Sequence, residues 1–131
     1  MSYIFTKEEL EILCKEWQAT LGMSEWEIAI CISRDNDMSV SGQGCNKVTP
    51  AKKIAFIYIV DPIDYPIYNE SSIWPQDMER TLVHELIHIH MYVWDNIKPD
   101  SVENILLEQT VDTLSKALVN LKRGTNNEQC S

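Results

Sequence analysis

The sequence predicts a single α+β domain in which an N-terminal helix and a small three-stranded sheet precede two further helices. Three observations predict it. Apolar residues recur at helical spacing near both ends of the chain; between residues 26 and 60 they alternate or run unbroken, as in strands. A length of 131 residues is enough for one hydrophobic core.

The first helix opens at Thr6-Lys7-Glu8-Glu9, a capping box with Thr6 as N-cap and Glu9 at the third helical position. Leu10, Leu13, Trp17 and Leu21 then mark one face, and Gly22 suits the C-terminus. Residues 26–33 alternate, with Trp26, Ile28, Ile30 and Ile32 on one side, and predict a strand. Arg34-Asp35-Asn36-Asp37 has turn chemistry and lacks the remaining ligands of a calcium loop. Residues 40–46, containing Gly42 and Gly44, predict a weak, kinked or bulged strand and a candidate sheet edge. Residues 54–60 predict a strong strand, apolar on both faces and therefore central or covered on both sides.

The loop at 61–74, with Pro62, Tyr65, Pro66, Tyr68 and Asn69, is either a rim over the next helix or a connection packed by its own tyrosines. Pro75 suits the first position of that helix, with Asp77 and Glu79 in its positively polarised first turn. The helix is expected to reach about residue 94, with Met78, Leu82, Leu86, Ile89 and Val93 as its stripe. Asp100, three residues before Glu103, is the expected N-cap of a last helix ending at Gly124. Its Val102, Ile105, Leu106, Leu114, Ala117, Leu118 and Leu121 are expected to form the buried face. The domain is thus drawn at 1–124, followed by a frayed polar tail at 125–131.

Composition narrows the function. Hydrophobic content of 44% and charged content of 24% are ordinary for a globular protein, but the net charge is −9. That charge disfavours nucleic acid, whose phosphates need a basic face, and equally an anionic membrane surface. No apolar run is long enough to span a bilayer, and no signal peptide is visible. Cys14, Cys31, Cys45 and Cys130 are widely spaced without a CxxC pair, which predicts reduced thiols, a cytoplasmic setting and no cysteine-rich zinc site. Cys130 could still reach back as a thiolate ligand, although a terminal polar tail is more simply read as disordered.

The chemistry concentrates in His84-Glu85-Leu86-Ile87-His88. Histidines four apart on a helix stand roughly 40° apart on one face, close enough to share a metal ion. Glu85 flanks that face, where a general base for a metal-activated water has to sit. His90, two positions further on, points to the other side and is read as packed or solvated. Two imidazoles hold zinc poorly, and no histidine follows His90, so the third ligand has to be a carboxylate. Glu108 is the best candidate, one short connection away on the last helix. Asp112 lies one turn later and suits a carboxylate that orients a ligand histidine. Two acids facing into a leucine-rich helix pair would be costly without a cation between them.

HELIH, a glutamate twenty residues on, and Glu108-Gln109-Thr110-Val111-Asp112 as ExxxD resemble the gluzincin metallopeptidases. The short chain is similar to the minimal members called minigluzincins and to small metallopeptidase-like proteins of phages and mobile elements. The motif match covers roughly residues 81–112. The resemblance implies Zn2+ held by His84, His88 and Glu108, Glu85 as general base and Asp112 orienting His84. It implies hydrolysis of a peptide or protein substrate lying extended along a sheet edge, here residues 40–46. Larger gluzincins carry a tyrosine or histidine for the oxyanion; here Tyr58, Tyr65, Tyr68 and Tyr92 are alternatives that the sequence does not rank. The rival reading is a catalytically quiet zinc-containing module that recognises a partner protein. A third is a regulatory protease that clips a repressor in a mobile element, although no DNA-binding helix pair is visible.

Overall fold

A computed structural model describes residues 3–34, 43–67, 75–92 and 100–124. The elements run α1 Lys7–Thr20, β1 Glu27–Ser33, β2 Gly44–Thr49, β3 Ile54–Val60, α2 Met78–His90 and α3 Val102–Lys122. Short 3-10 turns lie at Pro50–Lys52 and Pro62–Ile67. This is the α+β order that the hydrophobic pattern predicts.

The capping box forms at α1. Thr6 Oγ1 accepts from the Glu9 amide at 3.1 Å, and Glu9 Oε1 accepts from the Thr6 amide at 2.8 Å. The helix stops before Gly22, whose φ of 71° lies in the left-handed region that a residue without Cβ adopts freely. Leu10 and Trp17 are buried, with Leu13 and Leu21 packed against the same core.

β3 is the central strand of the sheet, parallel to β1 and antiparallel to β2. The register decides which side chains meet the helices. Ile30 sits beside Ile57 and Ile32 beside Ile59, so the alternating apolar face of β1 continues that of β3. Gly44, Asn46 and Val48 pair with Ile59, Ile57 and Ala55 and therefore share the core-facing side. Phe56, on the other face, is 42% exposed.

Strand β2 extends to Thr49, three residues beyond its expected end; residues 40–42 lie outside the described residues. Lys47, Val48 and Thr49 complete a hairpin with β3 through the 3-10 turn, and this pairing outweighs the weak strand signal of the glycines. The expected rim at 61–74 is described as far as residue 67, where Tyr65 packs with Cys45 and Val60, and Asp64 pairs with Arg34 at 2.7 Å. Residues 68–74, including Tyr68, lie outside the described part, as do the 35–37 turn and the 125–131 tail.

α2 begins after Asp77, not at Pro75, because the Asp77 carboxylate accepts from the Arg80 amide at 3.1 Å and caps the helix. It ends at His90 rather than near 94; Val93 and Trp94 fall outside the described residues. α3 is capped by Ser101, which accepts from the Asn104 amide, and not by Asp100, whose φ is 64°. Its C-cap is Arg123.

The face assignment of α3 is the largest correction. Val111, Ser115 and Val119 are buried, with Leu107 and Leu118 packed alongside, whereas Val102 and Leu121 are 68% and 76% exposed. Ile105, Leu106, Leu114 and Ala117 also face outward. The buried strip is narrow, with Glu108, Asp112 and Lys122 beside it meeting polar groups of α2, so most of the apolar residues of α3 lie on its outer side.

Around α2, one polar cluster fixes the helix start. Glu79, 4% exposed, accepts from Trp17 Nε1 at 2.7 Å, from Lys122 Nζ at 2.5 Å and from Arg123 at 3.1 Å. Arg123 also bonds Asp77 at 2.8 and 3.1 Å and stacks on Tyr3. Burial pushes the Glu79 carboxyl upward, but the bonds from Lys122 and Trp17 outweigh it and hold it below its ordinary value. Cys14, Cys31 and Cys45 are free thiols, and burial pushes Cys14 up to about 11. Among the described residues no helix is long and apolar enough to cross a membrane.

Because Glu79 titrates lower in the folded chain than its ordinary 4.5, its contribution is complete above that value. It is lost as pH falls through the lower, folded value. Urea unfolding of Glu79→Gln should show a deficit of about 1–3 kcal/mol at neutral pH. That deficit should shrink below about pH 4.5. An equal deficit at both pH values would contradict the ion-pair account.

Candidate metal centre

α2 presents His84 and His88 on one side, their ring centroids 4.9 Å apart. α3 brings Glu108 across to them, with Oε2 3.0 Å from His88 Nε2 and Oε1 3.5 Å from His84 Nε2. One ligand atom from each residue can be chosen so that all three lie within 4.8 Å of one another. Hydrogen bonds from His84 and His88 hold the Glu108 carboxyl well below the usual carboxylate range.

Tetrahedral zinc with bonds of about 2.0–2.2 Å places its donors about 3.4 Å apart. The separations here lie close to that spacing, and two imidazoles with one carboxylate are a donor set that zinc accepts. The three residues therefore fit such an ion. Asp112 lies on the far side of His84, its Oδ1 3.8 Å from Nδ1, while its other oxygen pairs with Lys116 Nζ at 2.9 Å. That is the side from which an orienting carboxylate acts, although the separation is longer than a hydrogen bond. Glu108 and Asp112 are about half exposed, with side-chain values of 48% and 47%. They stand on an open rim, not inside the helix pair where they were expected.

Glu85 is buried at 6% exposure against the sheet side of α2. Burial pushes its carboxyl upward, opposed by a hydrogen bond from Asn46 Nδ2 to Oε1 at 2.5 Å. Asn46 reaches it because residues 44, 46 and 48 of β2 face the helix layer. Gly44 makes the approach possible: a Cβ there would stand 2.6 Å from Thr81 Cγ2, 3.0 Å from the Tyr58 carbonyl oxygen and 3.5 Å from Glu85 Oε2. Gly44, Thr81, His84, Glu85 and Asp112 line a cavity of about 250 Å³.

The structure thus gathers His84, His88, Glu108, Glu85 and Asp112 in one place, as their spacing predicts. His90 is exposed and outside the cluster. Tyr58 lies under Lys47, and Tyr92 stands edge-on to Trp26 at 6.2 Å; neither lines the cavity. Tyr65 lines an adjoining, outer cavity of about 570 Å³. Asn46, Gly44 and Arg80 were not anticipated. Gly44 and Asn46 lie within the expected edge strand, but which face they present depends on the register of β2 against β3.

Compared with known proteins, the chain matches no family model, no curated protein and no solved structure.

Gly44→Val should force β2 away from α2 and cost about 1–3 kcal/mol in denaturant unfolding. Tolerance of valine without loss would refute the close approach. Purified protein equilibrated with zinc and then dialysed should hold close to one ion per chain by elemental analysis. Glu108→Ala should lose or greatly weaken that binding; retention at the wild-type level would remove Glu108 from the ligand set.

Proposed function

We propose that this chain is a zinc-dependent peptide hydrolase of gluzincin type, with Zn2+ held by His84, His88 and Glu108. The observation that carries the reading is the buried Glu85 carboxylate, anchored by Asn46 and lining one cavity with His84 of the histidine–glutamate cluster. A structural carboxylate would be better satisfied by several donors; this one is held at Oε1 by an amide and has its second oxygen on the Gly44 side.

When bound, zinc would lower the pKa of a water and polarise a peptide carbonyl. Glu85 would accept the proton of the attacking water and return it to the leaving amine. The Asn46 bond fixes the carboxylate plane for both. Asp112 would favour the His84 tautomer that directs Nε2 towards Glu108. β2 is the edge of the sheet next to α2, so an extended peptide could pair along it and bring a carbonyl to the cavity.

A zinc-containing recognition module is the second reading. It is favoured by the outward apolar row of α3, with Val102 and Leu121 largely exposed, and by the lack of a tyrosine or histidine beside Glu85 among the described cavity-lining residues other than His84.

Glu85→Gln separates the two. The variant should keep zinc at the wild-type level while cleavage of casein or a peptide library falls by about 100-fold or more. Wild-type protein that binds zinc stoichiometrically and cleaves nothing would instead support recognition.

A further inference from the structure

Arg80 lies one turn before His84 on α2 and lines both the inner cavity of about 250 Å³ and the outer cavity of about 570 Å³. Gln43 and Asp112 are likewise common to both, so the two cavities adjoin along the same stretch of α2 and α3. The outer one adds Asp77 and Lys116.

The charges around this groove do not cancel evenly. Asp112 is taken by Lys116 at 2.9 Å. Asp77 is taken by both terminal nitrogens of Arg123 at 2.8 and 3.1 Å, and its Oδ1 also accepts from the Arg80 amide. What remains for the Arg80 guanidinium is a 3.9 Å approach to Asp77, too long for a hydrogen bond. Its Nε is buried with no acceptor among the described residues. A guanidinium that is desolvated on one side and open on the other, with its fork of donors unfilled, is matched best by a planar carboxylate accepting two parallel bonds.

We propose that Arg80 is the subsite for a carboxylate of the substrate. This rests on the peptidase reading above and adds a substrate class to it. One helical turn is about 6 Å, which an extended peptide crosses in about two residues. The carboxylate belongs about two residues from the bond that is cut, and is either the free C-terminus or an acidic side chain. The chain's overall charge of −9 does not select such a substrate, so the preference has to be local, and Arg80 is the group that makes it so.

The test is calorimetric binding to zinc-loaded protein, with no turnover. The probes are dipeptide hydroxamates of one sequence prepared as the C-terminal acid, the C-terminal amide, and the amide with aspartate replacing the last residue. One carboxylate-bearing form should bind at least about tenfold tighter than the neutral amide. Whichever form gains identifies the source of the carboxylate. Arg80→Gln should reduce that advantage to less than about twofold while leaving the neutral amide's affinity unchanged, which also shows that the variant is folded. Arg80→Lys should keep part of it, and Lys116→Gln should keep it all. Equal binding of all three probes to wild type overturns the proposal, as does an advantage that survives Arg80→Gln. Binding of none of them, to protein that also fails to retain zinc, is failure of the metal reading, and the carboxylate subsite falls with it.

Discussion

The constraint on which the rest of the structure depends is that α2 is buried on almost every side while carrying several ionisable groups. Met78, Leu82, Leu86 and Ile89 face the core, and Glu79 and Glu85 are also buried. A buried charge without a partner costs several kcal/mol, so every neighbouring element has to supply one. α1 supplies Trp17 to Glu79, β2 supplies Asn46 to Glu85, and α3 supplies Lys122 and Arg123 at one end and Glu108 and Asp112 at the other. The arrangement around α2 is as much a matching of polar groups as a packing of apolar ones.

That matching adds to a narrow apolar seam on α3, formed by Val111 and Val119 with Leu107 and Leu118 alongside. The helix buries little beyond Val111, Ser115 and Val119, a modest apolar contribution for 21 residues. Its position is also set by two polar contacts about four turns apart, the Lys122–Arg123 cluster on Glu79 and Asp77, and Glu108 against the two histidines. The hydrophobic pattern alone places the leucine row inward, because pattern reading assumes that the partner surface is apolar. Here only the narrow strip of Val111, Ser115 and Val119 meets the core, and polar contacts to α2 flank it.

The parts that were legible in the sequence are those whose signal is local. The Thr6 capping box, the alternation through Ile28, Ile30 and Ile32, and the pair His84 and His88 depend on residues a few positions apart, and each forms as read. The placement of Glu108 beside the two histidines was legible at longer range, because a short connection brings α3 back against α2. Asn46 and Gly44 were not, because their role depends on the register of β2 against β3, which strand periodicity does not specify when glycines weaken the pattern. Asp77 reads as a first-turn residue because Pro75 also suits a helix start, whereas the Asp77 side-chain bond to the Arg80 amide makes it the N-cap.

The half-exposed state of Glu108 and Asp112 has a further consequence. A metal site closed on all sides would be structural; one whose third ligand stands at a rim leaves room on the cavity side for a water or a substrate oxygen. Glu108, about half exposed, is held towards His84 and His88 by the contacts of its carboxylate with the two imidazoles. A cation bound by all three residues would join α3 to α2 at this end as firmly as Arg123 joins them at the other. Its binding energy would then be shared between filling the site and docking the helix, so that metal affinity and the stability of α3 are two readings of one equilibrium.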